Sequence, residues 1–210
     1  MKKKTKTCIV ACSVLKDEIE MLVKKGELDA DLLFVSKYFH VDYAQIEKHL
    51  RPVIERALKS NPENVILVYG DLCLGTDGEM KKLAEEYGIA KVDALNCIDC
   101  QLGGKGAFLE ADPEHDLLFL SPGMTDFFRH AQKMMRREDL DESALKQFFS
   151  GLRGIIILDT LGRATELQLK VEKLNTGLPI LKTKVVGCDN VRNVIQEAKE
   201  RNEKCKSANS

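Results

Sequence analysis

Apolar and polar positions along this chain fall into blocks, and the blocks switch between two periods. Short, unbroken apolar runs are separated by longer stretches in which apolar residues recur every three or four positions. Unbroken runs bounded by turn formers predict buried strands, and the three-to-four spacing predicts amphipathic helices. The clearest run is Val65-Ile66-Leu67-Val68-Tyr69, which ends in a turn punctuated by Gly70, Gly75 and Gly78 with Cys73 inside it. Further strands are predicted over 7–14, 31–39, 90–95, 116–121, 153–160 and 178–186. Helices are predicted over 16–25, 43–60, 79–87, 125–137, 142–152 and 163–175, with one more following Asp189. Residues 43–60 illustrate the reasoning: Ile46, Leu50, Val53, Ile54 and Leu58 form one stripe, Asp42 is placed as N-cap, and Asn61-Pro62 ends the helix. The polar end, 202–210, reads as a frayed tail.

Strands alternating with helices, with strand interiors apolar throughout, predict an α/β fold: a mostly parallel sheet with helices on both faces, Rossmann-like. The partition expected is one α/β domain over 1–201, or two lobes dividing near 123. In such folds ligands bind beyond the carboxyl ends of the strands. The residues at those ends carry the chemistry. Cys12 follows the first strand, His40 the second, Cys73 the third, and Cys97 and Cys100 the fourth.

Soft thiolates and an imidazole gathered on one sheet edge are the donor set expected for zinc or a cysteine-ligated iron–sulfur cluster. Cys12, Cys73 and Cys100 supply three ligands, with His40 or Cys97 as the fourth. Gly70 and Gly75 let the loop around Cys73 close over a ligand. Glu18, Asp71 and Asp99 are the carboxylates near enough to act as acid–base groups or to orient the ligands. Two other chemistries compete. One is a corrinoid or other tetrapyrrole held at the sheet edge, and the other is dithiol redox at Cys97-x-x-Cys100. Gly103-Gly104-x-Gly106 does not follow a strand directly, so it does not meet the dinucleotide-binding pattern. Asp159-Thr160-Leu161-Gly162 reads equally as an anion site or a plain turn. Cys8 and Cys188 read as small core residues, Cys205 lies in the tail, and His49, His115 and His130 are given no role. Phe127-Phe128 reads as core.

Composition narrows the field. The 210 residues carry a net charge of −1, which leaves no electrostatic footprint for nucleic acid. The basic opening at Lys2, Lys3, Lys4 and Lys6 reads as a solvated tail. No apolar run approaches the roughly 20 residues of a membrane span, and 8–14 is too short for a signal peptide. Seven cysteines, an odd number, argue against a disulfide framework and towards thiols used for metal or redox chemistry in the cytoplasm.

Taken in order, Ala11-Cys12 with Leu15 and Glu18, Tyr38-Phe39-His40 before a long helix, Tyr69-Gly70-x-x-Cys73, Asp99-Cys100 and Leu120-Ser121-Pro122-Gly123 resemble the domain of unknown function 1638 family. The resemblance extends over about 7–187. Before its Asp-Cys pair the family usually has a basic residue and a histidine, where this chain has Asn96-Cys97-Ile98. Members are often encoded beside corrinoid-dependent methyltransferases. The resemblance therefore implies that Cys12, His40, Cys73 and Cys100 share one site with Glu18 near it, and that the partner is a small molecule or a corrinoid protein.

Overall fold

In a computed structural model, residues 6–61, 63–137, 147 and 149–208 are described. The strands are β1 (Thr7–Cys12), β2 (Ala30–Val35), β3 (Val65–Val68), β4 (Ala90–Lys91), β5 (Leu117–Leu120), β6 (Gly154–Asp159) and β7 (Ile180–Val185). Between and after them run helices α1 (Lys16–Lys24), α2 (Tyr43–Ser60), α3 (Glu79–Glu86), α4 (Cys97–Leu102), α5 (Ala107–Ala111), α6 (Pro122–Arg137), α7 (Ala164–Glu172) and α8 (Asp189–Ala208). All strand pairs are parallel, in two sheets ordered β2-β1-β3-β4 and β5-β6-β7. The protein is α/β and Rossmann-like, with its strands divided between two sheets.

The first sheet is apolar on both faces because both are covered. Register pairs Val10 of β1 with Leu67 of β3 and Ile9 with Ile66. Cys8, Val10, Cys12, Val65, Leu67 and Tyr69 face Ile46, Leu50 and Ile54 of α2 and Met80 and Leu83 of α3. Ile9, Ala11, Ile66 and Val68 face Ile19 and Leu22 of α1 and Val191, Val194 and Ile195 of α8. Each fully buried aliphatic side chain contributes about 1.5–3 kcal/mol of transfer free energy, which is why the apolar runs settle here.

Several boundaries differ from expectation. The fourth strand is only two residues long, Ala90–Lys91, and the expected strand over 90–95 does not form. Beyond it the chain hydrogen-bonds to the β3 loop instead, Asp71 N to Ala94 O and Leu72 N to Leu95 O. Residues 97–102 then turn into α4, where Asn96 accepts from Asp99 N as the N-cap. β5 pairs with β6 and not with the first sheet, so the second sheet begins before the division expected near 123. The two parts are not consecutive either, since α8 returns to pack on α1, α4 and β4. α8 also continues through Ala208, where a frayed tail from 202 was expected. Asn202 is buried, and its Nδ2 donates to Glu63 O, so the tail has something to hold it. Most of the helix expected over 142–152 lies outside the described residues, and 149–151 form a turn.

Candidate functional site

β1 ends in a 3-10 turn, Ser13–Leu15, in which Val14 N donates to Cys12 Sγ at 3.4 Å. β2 ends in a second such turn, Lys37–Val41, capped by Ser36 and carrying His40. Lys37 N donates to Ser13 Oγ at 2.8 Å and ties the two turns together. Cys12 Sγ consequently lies 3.8 Å from His40 Nδ1 and 3.9 Å from Nε2. β3 ends at Tyr69 and Gly70, and a third turn, Asp71–Cys73, brings in Cys73. Gly70 is required there, since a Cβ would overlap the Asn96 backbone; this close approach places α4, with Cys97 and Cys100, against the Cys73 turn.

Cys12, Cys73 and Cys100 are buried and Cys97 is half-buried, and all four are free thiols. Burial is the main cause that pushes Cys12 up to about 12 and Cys73 up to about 11. Burial likewise raises Cys97 and Cys100, with proximity adding to it: Cys97 feels Cys12, Cys73 and Cys100, and Cys100 feels Cys73. Burial lowers the pKa of His40. The cluster is therefore held as neutral thiols and neutral imidazole, because an apolar interior penalises each charged form.

The site is completed from the second sheet. Gly123, at the start of α6, is pressed so closely on the Val14 carbonyl that a Cβ has no room. α6 then presents Met124, whose Sδ accepts from Cys97 Sγ at 3.7 Å, and Phe127, whose ring stands edge-on to His40 with centroids 6.5 Å apart. Between these elements lies a cavity of about 360 Å³, whose lining includes His40, Cys73, Cys97, Phe119, Phe127 and Phe128. Apart from Asn96, the imidazole and the thiols, its lining is apolar or aromatic. Tyr69 lies beneath, buried, with its ring parallel to His40 at 6.3 Å and its hydroxyl without a hydrogen-bond partner among the described residues.

Cys12, His40, Cys73, Cys97 and Cys100 are therefore neighbours, as their positions at strand ends predict. Among the described residues no three His, Cys, Asp or Glu side chains stand close enough together to hold a metal ion as placed. In kind the donors fit a soft ion: thiols and a neutral imidazole beside an unpartnered phenol. Three further expected residues have other contacts. Asp99, read as a cofactor contact, spends both carboxylate oxygens on backbone amides, accepting from Leu95 N, Gly106 N and Phe108 N at 2.8, 3.1 and 2.8 Å. It shapes the segment that carries Cys97 and Cys100. Glu18, read as an acid–base group, is buried where its Oε1 accepts from Gln101 Nε2 at 2.9 Å and Thr160 Oγ1 at 2.7 Å. It joins α1 to α4 and to the end of β6. Gly75, read as a ligand contact, has a φ of +143° and lies against Glu79, whose Oε2 accepts from Asp77 N. Cys188 donates to Thr160 O at 3.1 Å and Cys8 is core, as expected.

Tyr69 and Met124 were not read as site residues. Tyr69 closes an apolar run and looks like its last core residue. Met124 precedes the Phe127-Phe128 pair, and only the packing of α6 on the β1 turn brings it to Cys97.

The arrangement defines an α/β protein with a buried thiol–imidazole cluster at the strand ends, facing an apolar cavity. Residues 34–186 match the family model described as protein of unknown function, DUF1638, and the chain belongs to that family. The matched stretch contains His40, Cys73, Cys97 and Cys100, while Cys12 and Glu18 precede it. No curated protein and no solved structure matches the chain. No helix among the described residues is long and apolar enough to cross a membrane.

Proposed function

We propose that the protein binds a soft metal, zinc or an iron–sulfur cluster, through Cys12, Cys73 and Cys100, with His40 or Cys97 as the fourth ligand. In this reading it acts on a small, neutral organic molecule in the adjoining cavity, as an enzyme or an accessory factor. The observation that carries this is that His40, Cys73 and Cys97 of the thiol–imidazole cluster line an uncharged cavity. The volume of about 360 Å³ lies near the small end of the roughly 300–1,000 Å³ of ligand pockets. Phe119, Phe127 and Phe128 exclude water and hold an apolar body, while His40, Cys73 and Cys97 meet its reacting end. A bound cation would supply the charge that lowers the pKa of a coordinated thiol or water. The link to corrinoid-dependent one-carbon metabolism, with a corrinoid protein as partner, rests on the family resemblance alone.

The competing readings have less support. A corrinoid carrier has only the family resemblance behind it. A redox pair needs an accessible thiolate of lowered pKa, whereas burial raises both Cys97 and Cys100.

Anaerobic purification followed by metal analysis tests the proposal. The wild type should retain about one ion or cluster per chain, and Cys12→Ala and Cys73→Ala should lose most of it. Binding expels thiol protons, so affinity should rise with pH, about tenfold per unit for each proton released. A wild-type protein that carries no zinc or iron, and takes up neither when supplied, refutes it.

A further inference from the structure

We infer that Tyr69 is the hydrogen-bond donor of this site, its unpartnered hydroxyl serving to stabilise a thiolate once one forms at Cys12 or Cys73. The inference rests on the metal-site reading above and adds a residue to it.

Three observations carry it. The first is register. Ala11 pairs with Val68 in parallel strands, so continuing the ladder one step sets Tyr69 beside Cys12, and both belong to the same buried cluster as Cys73. The second is the ring stack. The Tyr69 and His40 rings lie 4° from parallel with centroids 6.3 Å apart, and Cys12 Sγ is 3.8 Å from the same imidazole. Phenol, imidazole and thiol thus occupy one compact space. The third is that the Tyr69 hydroxyl is buried with no partner among the described residues. A buried hydroxyl left unpaired is costly, so a phenylalanine here would be favoured if packing alone mattered.

A donor at this point matches what the site needs. In the metal-free protein burial keeps the thiols protonated, and a protonated thiol is a weak acceptor. Once a thiolate forms, a neutral phenol donates to it in a charge-assisted hydrogen bond. The phenol remains neutral: burial, with Cys12 and Cys73 adding to it, raises its pKa. Tyr69 is a positioning residue, acting through the sulfur.

Cobalt(II), whose thiolate complexes absorb visibly, is the probe. Wild type and Tyr69→Phe are titrated anaerobically with cobalt(II), and the thiolate-to-cobalt band and the dissociation constant are compared. Metal-free melting is measured in parallel. The inference expects Tyr69→Phe to melt at or above the wild-type temperature without metal, to bind cobalt(II) about tenfold or more weakly, and to shift the band to lower energy. Equal affinity and an unshifted band in both proteins would overturn the inference and leave the metal site standing. A wild type that shows no thiolate-to-cobalt band removes the site, and the role of Tyr69 with it. A Tyr69→Phe protein that melts lower without metal assigns the hydroxyl a structural role and also overturns it.

Discussion

Glu18 shows how one residue's surroundings decide its chemistry. Its side chain is buried, with one oxygen taken by Gln101 and Thr160 and Oε2 unpartnered among the described residues. Burial is the main cause that raises its pKa above the ordinary 4.5. The folded state therefore holds the proton more tightly than the unfolded chain does. As pH climbs past the ordinary carboxyl range the unfolded chain ionises first, so Glu18 costs stability with rising pH until it ionises in the fold as well. Glu18→Gln keeps the acceptor for Thr160 and removes this penalty. Its melting temperature should match the wild type near about pH 4 and exceed it by about pH 7–8. Melting curves across that range check this, and a constant offset would contradict it. The thiols follow the same logic: folding favours their neutral forms, so their contribution is lost only as pH rises above the ordinary thiol range.

At the scale of elements, the segment from β4 to α5 carries half of the thiol cluster with little regular structure to support it. Asp99 supplies the support. Removing its carboxylate leaves the amides of Leu95, Gly106 and Phe108 without that acceptor. At about 1 kcal/mol for each part-buried donor left unmet, Asp99→Ala should cost roughly 3 kcal/mol. Urea denaturation measures this, and a loss below about 1 kcal/mol would show that the amides find other partners. The same variant should weaken metal retention, because Cys97 and Cys100 ride on this segment. The 3-10 turns act similarly for Cys12, His40 and Cys73: each strand ends in one turn of tight helix that aims a donor inwards.

For the whole molecule, the organising fact is that α8 comes last in the chain yet covers the first sheet. Val191, Val194, Ile195 and Ala198 pack on Ile9, Ile66 and Val68. Arg201 Nη2 donates to Lys91 O at 3.0 Å, covering the short edge strand. Ending the chain after residue 188 should therefore strip one face of the sheet that carries the thiols. The truncated chain is expected to lose its cooperative melt, followed by circular dichroism. A sharp transition near the wild-type temperature would mean that the first sheet does not need α8.

The alternation of buried runs and striped helices is local information, and it sufficed for the class of fold. The expected span 43–60 is the observed α2, and Asp42 caps it through Ala44 N. Topology in parallel α/β folds places strand carboxyl ends on one edge, so the gathering of Cys12, His40, Cys73, Cys97 and Cys100 was also legible there. Asp99 and Glu18 were not. A carboxylate beside a cysteine looks like chemistry in one dimension, and only three-dimensional packing shows that both Asp99 oxygens are taken by backbone amides and Glu18 Oε1 by an amide side chain and a hydroxyl. The division into two sheets was equally hidden, because β5 reads as another strand, and its choice of β6 over β4 depends on which edge remains open. The part of the cavity lining that α6 supplies depends on its docking through Gly123 onto the β1 turn, a contact between distant segments. Strand ends and their thiols follow from patterns within a few residues, whereas the partners of each polar atom and the walls of the cavity follow from long-range packing.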